Sequence, residues 1–218
     1  MLSNGRMPLI DERNLAEIAR RLARQDPDLA KVMKRHGPPP LWARKPGFAT
    51  LLQIILEQQV SLASAKACFD KLRARVGELT PQNLLMSSDD ELKKDGFSRQ
   101  KTAYARHLAT AVIENQIDLQ NLSSLPDADV KLAITKLKGV GEWTSDIYLL
   151  MALRRPDVMP KGDLALHIAW QRLSGHGRPN ASEFLEIAER WRPFRSVAAR
   201  LLWHYYLCER RAKKSDAG

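Results

Sequence analysis

Signals that start α-helices recur along the chain. Asp26-Pro27 and Thr80-Pro81 each place a capping side chain directly before a proline that suits the first helical position. Ser88, followed three residues later by Glu91, has the pattern of a capping box. The sequence therefore predicts a chain built from many short helices joined by short connections.

The residue composition favours an all-α fold. The 218 residues include 31 Leu and 25 Ala, against 8 Val, 10 Ile and 6 Thr. Leucine and alanine favour helices, whereas β-branched residues favour strands. An apolar share of 44% and a charged share of 28% are ordinary for a folded protein, so wholesale disorder is excluded. We expect ten to twelve helices and no strand.

Charge and cysteine content narrow the functional classes. The excess of 35 Lys and Arg over 25 Asp and Glu gives a net charge of +10, which attracts polyanions such as nucleic acids. Cys68 and Cys208 are too few for a four-thiolate zinc or iron–sulfur site, and they indicate a reducing, cytoplasmic location. No apolar run is long enough for a membrane span, and the glycine patterns of nucleotide-binding loops are absent.

A pair of glycines, Gly139 and Gly141, interrupts the helical pattern. The pair predicts a tight turn between two helices in which both glycines take positive φ angles. Amides at the start of the second helix would then point outwards and suit a phosphate oxygen. An ordinary helix C-cap with a second glycine nearby is the alternative interpretation.

Two further polar segments stand between apolar helices. Asp163 precedes an apolar helix and is predicted to cap it, and the helix N-terminus favours the ionised carboxylate. Gln58 and Gln59 follow an apolar helix and precede Ser61, another predicted N-cap. Taken separately, the aspartate is explained as a structural cap and the glutamines as interhelical hydrogen-bonding groups.

Together, in this order and spacing, these segments resemble the helix-hairpin-helix (HhH-GPD) DNA glycosylases, in particular the branch of DNA-3-methyladenine glycosylase II. The resemblance runs from about Trp42 to Trp203 and includes residues 55–61, 139–141 and 191–196 together with Asp163. It implies an all-α, two-lobe fold with a helix-hairpin-helix and an active site in the cleft between the lobes. The N-terminal sheet subdomain of the enteric enzyme is not expected, because only about 40 residues precede the shared region.

The resemblance also implies roles for individual residues. Asp163 takes the position of the catalytic aspartate. The base pocket is expected to be formed by Trp143, Trp203, Ile147 and Tyr148, of which Ile147 takes the place of a pocket tyrosine. DNA contacts are expected from Lys138, Gly139, Val140, Gly141, Gln58 and Gln59, with one of the two glutamines filling the gap left by an extruded nucleotide. The carbonyl groups of Thr135, Leu137 and Val140 would hold a Na⁺ or K⁺ ion, and no other cofactor and no iron–sulfur cluster is expected.

A single HhH-GPD domain is expected over residues 1–218. Its central helical lobe would span about residues 60–160 and include the hairpin at 130–154. A second lobe would combine residues 1–58 with 161–210, and residues 211–218 would form a tail.

The function that the resemblance implies is excision of 3-methyladenine and 7-methylguanine from duplex DNA in base excision repair. The protein would act as a monomer in the cytoplasm, associated with the nucleoid if prokaryotic, and without a membrane partner. Trp143 stands two residues after the second hairpin glycine, where lyase-competent relatives carry a Schiff-base lysine, so strand cleavage is not expected. Two alternatives stay open: a non-catalytic helix-hairpin-helix DNA-binding protein, and a glycosylase for oxidised or mismatched bases.

Overall fold

The computed structural model describes residues 7–215, with side chains described for residues 7–212. Within that range the chain forms twelve α-helices and no strand, which confirms the all-α prediction. The helices are α1 (Leu15–Gln25), α2 (Pro27–His36), α3 (Phe48–Glu57), α4 (Leu62–Val76), α5 (Pro81–Leu85), α6 (Asp89–Asp95), α7 (Arg99–Ile113), α8 (Asp127–Thr135), α9 (Glu142–Ile147), α10 (Leu164–Ser174), α11 (Ala181–Ala188) and α12 (Arg195–Ser215). Short 3₁₀ segments lie at Asn121–Ser124 and Glu189–Trp191, and a π-helical segment lies at Tyr148–Ala152.

The predicted helix starts are present. Asp26 accepts hydrogen bonds from two amides at the start of α2, and Thr80 accepts one at the start of α5. Ser88 and Glu91 form the reciprocal capping box of α6. These side chains satisfy amides that have no partner inside a helix, which stabilises even the short helices.

The helices group into two compact units. The central unit, Arg44–Leu153, holds α3 to α9, and the terminal unit, Met1–Ala43 with Arg154–Gly218, holds α1, α2 and α10 to α12. The boundary differs from the expected one, because the sequence predicts α3 in the lobe of residues 1–58 whereas it lies in the central unit. The reason is physical: α3 is apolar on nearly every face and packs against α4, α7 and α9.

Helix α3 forms the core of the central unit. Its side chains Leu51, Leu52, Ile54, Ile55 and Leu56 are each at most 1% exposed. Because full burial of one such side chain contributes about 1.5–3 kcal/mol, this helix accounts for a large share of the stability of the unit. Residues 58–61, which follow it directly, are therefore attached to a rigid element.

Helix α12 forms the core of the terminal unit and packs against α1, α2 and α10. It carries the fully buried Arg200, whose Nε donates to the carbonyl of Leu41 at 2.9 Å. Burial lowers the pKa of Arg200 to about 10, so the guanidinium is still charged at neutral pH. Trp191 is also buried and donates its Nε1–H to Asp26 at 2.7 Å, which links the segment before α12 to the start of α2.

The tail expected from residue 211 is helical as far as Ser215, because α12 continues through a run of helix-forming Arg, Ala and Lys residues. Residues 216–218 lie outside the described residues. Across the range that the structure describes, no helix is both long enough and apolar enough to cross a membrane.

Candidate active site and nucleic-acid interface

The predicted helix-hairpin-helix consists of α8, the turn at residues 136–141 and α9. Leu137 and Val140 are buried, and the Val140 amide donates to the Leu137 carbonyl at 3.1 Å, which closes the turn. Gly139 has a φ of +80°, as predicted. Gly141 has a φ of −107° and a ψ of −173°, an extended conformation open to any residue, so the predicted positive φ is wrong for this glycine.

Two residues of α7 that the sequence patterns do not reveal support this turn. The ring of Tyr104 lies so close to Gly139 that a Cβ atom added there would come within 2.3 Å of Cδ2 of the ring. The Tyr104 hydroxyl accepts a hydrogen bond from Nε2 of Gln100 at 2.6 Å. The amide of Lys138 donates a longer bond, at 3.4 Å, to Nδ1 of His107. The sequence feature that could have indicated this support is the spacing of three residues between Tyr104 and His107, which places both on one face of a helix.

The start of α9 has the properties of a phosphate-binding site. Its N-cap is Gly141, which has no side chain that could cap the first turn. The helical run does not end with α9 but continues through the π-helical segment to Ala152. Amides at a helix start next to a tight turn suit an anionic oxygen, and the exposed Lys138 adds a positive charge beside them.

An ion pair fixes the two helices of the hairpin to each other. Nζ of Lys131 on α8 lies 2.5 Å from a carboxylate oxygen of Asp146 on α9, and the Asp146 side chain is only 2% exposed. Because this contact joins the helices on either side of the turn, it holds α9 in place relative to α8.

The structure separates the roles of the two glutamines. Nε2 of Gln58 donates to the Gly139 carbonyl at 3.0 Å and to the Thr144 hydroxyl at 2.8 Å, so this side chain ties the end of α3 to the hairpin. Gln59 is exposed and has a φ of +57°, in the left-handed region that glutamine rarely adopts. Of the two, Gln59 is the side chain placed to reach a bound molecule.

The expected pocket residues of the central unit have different surroundings. Trp143 on α9 is partly exposed. Ile147 and Tyr148 are 2% and 0% exposed, and the Tyr148 hydroxyl accepts a hydrogen bond from the Gly47 amide at 2.9 Å. Burial raises the pKa of the Tyr148 hydroxyl. The expectation that Ile147 and Tyr148 line a base pocket is therefore corrected: both are core residues of the central unit, since neither exposes a surface on which a base could stack.

The expected cation site is built from backbone carbonyl oxygens. No group of three or more His, Cys, Asp or Glu side chains within residues 7–212 is arranged to hold a metal ion. The carbonyls of Thr135, Leu137 and Val140 lie at the end of α8 and in the turn, and hard carbonyl oxygens are ligands that suit an alkali cation. The Leu137 carbonyl already accepts the Val140 amide, but a carbonyl oxygen has a second lone pair.

Asp163 occupies the predicted N-cap position of α10. Its Oδ1 accepts the Leu166 amide at 3.0 Å and Nε1–H of Trp203 at 3.2 Å, and the residue is 8% exposed. His167, one turn further along α10, is buried, and burial lowers the pKa of its imidazole, which is therefore neutral at pH 7. The terminal unit thus holds a fixed carboxylate with an indole N–H directed at it.

A second aspartate in the terminal unit has almost the same local surroundings. Asp26 caps α2, is 4% exposed and accepts an indole N–H, that of Trp191. Asp26 accepts the helix amides at Oδ1 and the indole N–H at Oδ2, whereas Asp163 accepts both at Oδ1. Nε of Arg190 lies 3.0 Å from Oδ2 of Asp26. Capping geometry alone therefore does not separate a catalytic aspartate from a structural one.

Trp203, expected as a pocket wall, is 8% exposed. Trp42, for which the sequence favours a core or packing role, lies beside it with ring centroids 6.5 Å apart and ring planes at 72°. Trp42 is partly exposed and has a φ of +48°. Asp163, Trp203 and Trp42 thus form one cluster within the terminal unit.

The fold and these residues define a class of protein: an all-helical, basic domain that carries a helix-hairpin-helix and a buried aspartate at the start of a later helix. A model of the HhH-GPD superfamily of base excision DNA repair proteins matches residues 52–193. Because that match covers more than half of the chain, the protein belongs to the HhH-GPD superfamily.

Curated relatives share much of the chain. DNA-3-methyladenine glycosylase 1 of Schizosaccharomyces pombe is 27% identical over 180 residues, covering 80% of this chain and 79% of that protein. DNA-3-methyladenine glycosylase 2 of Escherichia coli is 29% identical over 175 residues, covering 72% of this chain and 57% of that protein. The chain spans 64% of the length of a Bacillus subtilis relative. Some relatives are therefore considerably longer than the region they share with this chain.

Among solved structures, the fold is similar to that of a Schizosaccharomyces pombe 3-methyladenine DNA glycosylase in complex with abasic DNA. The TM-score is 0.79 at 25% sequence identity, and the match covers 86% of this chain and 95% of that chain.

Proposed function

We propose that this protein is a monofunctional DNA glycosylase that removes alkylated purines, such as 3-methyladenine and 7-methylguanine, from duplex DNA in base excision repair. The observation that carries the proposal is the buried Asp163 carboxylate, whose Oδ1 accepts two N–H donors and to which the resemblance assigns the catalytic role. The names of the fission yeast and Escherichia coli relatives support this substrate class.

DNA binding would rest on the hairpin of the central unit. Backbone amides around Gly141 would contact a phosphate, and the net charge of +10 would favour association with DNA. Extrusion of the damaged nucleotide from the duplex costs roughly a few kcal/mol in lost base pairing and stacking. A side chain that fills the gap left in the duplex offsets part of this cost. We assign that role to Gln59, because Gln58 is held by Gly139 and Thr144.

The two glutamine variants test this assignment. Gln59→Ala should lower affinity for a duplex with an abasic site while leaving thermal stability unchanged, because Gln59 is exposed. Gln58→Ala should lower thermal stability as well, since it removes two bonds between the end of α3 and the hairpin. Equal affinity of wild type and Gln59→Ala would exclude Gln59 from the gap.

Catalysis would depend on the negative charge of Asp163. As the N-glycosidic bond breaks, positive charge develops on the sugar, and a fixed carboxylate stabilises it without reorganisation. A purine alkylated at N3 or N7 is already cationic, so its departure does not require a general acid. The neutral state of His167 is consistent with that requirement.

Asp163→Asn is the direct test, and Asp26→Asn is its matched control. At position 163 the asparagine oxygen can still accept both the Leu166 amide and the indole N–H of Trp203, because Oδ1 accepts both. At position 26 the helix amides are bound by Oδ1 and the indole N–H by Oδ2, so asparagine keeps only one of these contacts, and the control removes a buried charge together with a structural bond. We expect Asp163→Asn to bind duplex DNA normally but to release 7-methylguanine about 100-fold more slowly or worse. Asp26→Asn should keep full excision, although it loses stability with the Arg190 ion pair. Excision by Asp163→Asn at the wild-type rate would make Asp163 a structural cap like Asp26.

We also propose that the enzyme lacks lyase activity, because Trp143 occupies the position of the Schiff-base lysine. Borohydride should trap no covalent complex on alkylated duplex DNA, and the product should be an unbroken strand with an abasic site. A trapped adduct would place the protein among the bifunctional glycosylases.

A Na⁺ or K⁺ ion at the carbonyls of Thr135, Leu137 and Val140 is proposed as an aid to phosphate binding. The chemistry it supplies is a positive charge next to the phosphate, while the protein's own amides orient the phosphate oxygen. No further cofactor is proposed, and the enzyme is proposed to act as a monomer.

A further inference from the structure

The indole of Trp203 is engaged with the aspartate and largely covered. Its Nε1–H is directed at Oδ1 of Asp163 at 3.2 Å, and the residue is 8% exposed. A base that stacks on an aromatic side chain needs an open ring face, and Trp203 offers little of one. Its contact with Asp163 instead fixes the position of a carboxylate oxygen.

Trp42 has the complementary properties. It is partly exposed, and its ring meets that of Trp203 nearly edge-to-face, with centroids 6.5 Å apart. In this arrangement the two indoles are in contact, so that Trp42 extends the aromatic surface outwards from the residue that holds Asp163. The terminal unit therefore presents an accessible indole close to its buried carboxylate.

The backbone around Trp42 indicates that this placement is maintained against a cost. A φ of +48° is a rare conformation for a bulky residue, and such residues persist only where their surroundings enforce them. Here the preceding carbonyl, that of Leu41, is held at 2.9 Å by the fully buried Arg200 of α12. A side chain that only filled a core would need neither a left-handed backbone nor partial exposure.

We propose that Trp42 is the aromatic surface on which the extruded alkylated base stacks in the terminal unit, and that Trp203 is a positioning residue for Asp163. This inference rests on the proposed glycosylase function. A purine alkylated at N3 or N7 carries positive charge, and indole is the side chain that attracts a stacked cation most strongly. Trp42 would thus contribute to selection of cationic over neutral bases.

Trp42→Leu and Trp42→Phe test the stacking role in single-turnover excision of two bases from matched duplexes. One base is cationic 7-methylguanine and the other is neutral hypoxanthine. We expect Trp42→Leu to slow release of 7-methylguanine by about 2- to 30-fold more than release of hypoxanthine, the range that a cation–π contact supports. Affinity for a duplex with an abasic site, which has no base to stack, should not change. Trp42→Phe should lie between wild type and Trp42→Leu.

Trp203→Phe tests the positioning role, because it keeps a ring and removes the N–H donor. It should slow release of both bases by the same factor. It should leave affinity for a duplex with an abasic site unchanged, because the N–H donor acts on the Asp163 carboxylate and not on the DNA. Unchanged selectivity in Trp42→Leu would overturn the stacking role. Wild-type release of both bases by Trp203→Phe, or a loss of release matched by an equal loss of affinity for the abasic-site duplex, would overturn the positioning role.

The design separates this inference from the proposed function. If wild type releases neither base, the proposed function fails and the inference fails with it. If wild type releases 7-methylguanine and the Trp42 variants keep its selectivity, only the inference fails. If Trp42→Leu does not fold, Trp42→Phe and Trp42→Tyr are measured in its place. Lower selectivity for 7-methylguanine in both variants would support stacking on Trp42, and wild-type selectivity in both would exclude it.

Discussion

The two hairpin glycines should respond to the same substitution in opposite ways. Gly139 has a φ of +80°, and a Cβ atom there would lie 2.3 Å from Cδ2 of the Tyr104 ring. Gly141 has an extended backbone, and a Cβ atom there would have no heavy atom within 4 Å outside its chain neighbours. Gly139→Ala is therefore predicted to affect stability, whereas Gly141→Ala is predicted to affect only a ligand that approaches the turn.

The magnitudes follow from these two environments. At position 139, a left-handed alanine costs about 1–2 kcal/mol, and the clash with a packed ring adds about 1–3 kcal/mol. For a chain of this size, 1 kcal/mol corresponds to about 2–4 °C in Tm, so Gly139→Ala should lower Tm by roughly 4–20 °C. At position 141, alanine should leave Tm unchanged or raise it slightly, because it restricts only the unfolded chain.

Thermal unfolding and fluorescence anisotropy with an abasic-site duplex measure the two effects. Gly141→Ala should bind DNA several-fold more weakly at unchanged Tm, since its methyl group would occupy space next to the phosphate. In a double-mutant cycle, Tyr104→Ala should remove the steric part of the Gly139→Ala cost, about 1–3 kcal/mol. Wild-type affinity in Gly141→Ala would refute phosphate binding at this turn, and additive effects in the cycle would refute the proposed clash.

Two further predictions concern the central unit and the cysteines. Lys131→Met should lower the free energy of unfolding by about 1–3 kcal/mol, because it removes an ion-pair partner from the buried Asp146. Lys66→Met is the control: Lys66 belongs to an exposed ion pair, so this change should alter the free energy of unfolding by less than about 1 kcal/mol. Urea titrations of the two variants measure the difference. A thiol reagent at pH 8 should modify Cys208 but not Cys68 in the folded protein, because Cys68 is buried and burial raises its pKa to about 11. The number of thiols modified before and after unfolding measures this. Rapid modification of two thiols in the folded protein would contradict it.

Local chemistry in the sequence predicted the helices well. The caps at Asp26, Thr80 and Ser88 act within three residues, so they can be identified without knowing the fold. The hairpin was found for the same reason, since a glycine pair between helices is a local signal. The positive φ predicted for Gly141 was wrong because a turn of this kind needs only one left-handed residue, Gly139.

Contacts between distant residues could not be predicted. Gln58 and Gln59 are equivalent by their local sequence, and only the bond from Gln58 to Gly139, 81 residues away, separates them. The resemblance places Tyr148 in the base pocket, but the residue is fully buried and its hydroxyl accepts the amide of Gly47, 101 residues earlier. Trp42 carries no local signal for a left-handed backbone, since tryptophan rarely adopts one.

The aspartates Asp26 and Asp163 show how far capping chemistry alone can be interpreted. Both are buried N-caps that accept an indole N–H, although Asp163 uses Oδ1 for both the cap and the indole whereas Asp26 uses Oδ1 for the cap and Oδ2 for the indole. In Asp26 the charge is compensated by Arg190 at 3.0 Å, and a compensated carboxylate has little field left for a developing cation. If Asp163 is catalytic, its charge must act on the sugar, and a guanidinium placed against its carboxylate as Arg190 is against Asp26 would abolish excision without disturbing the cap.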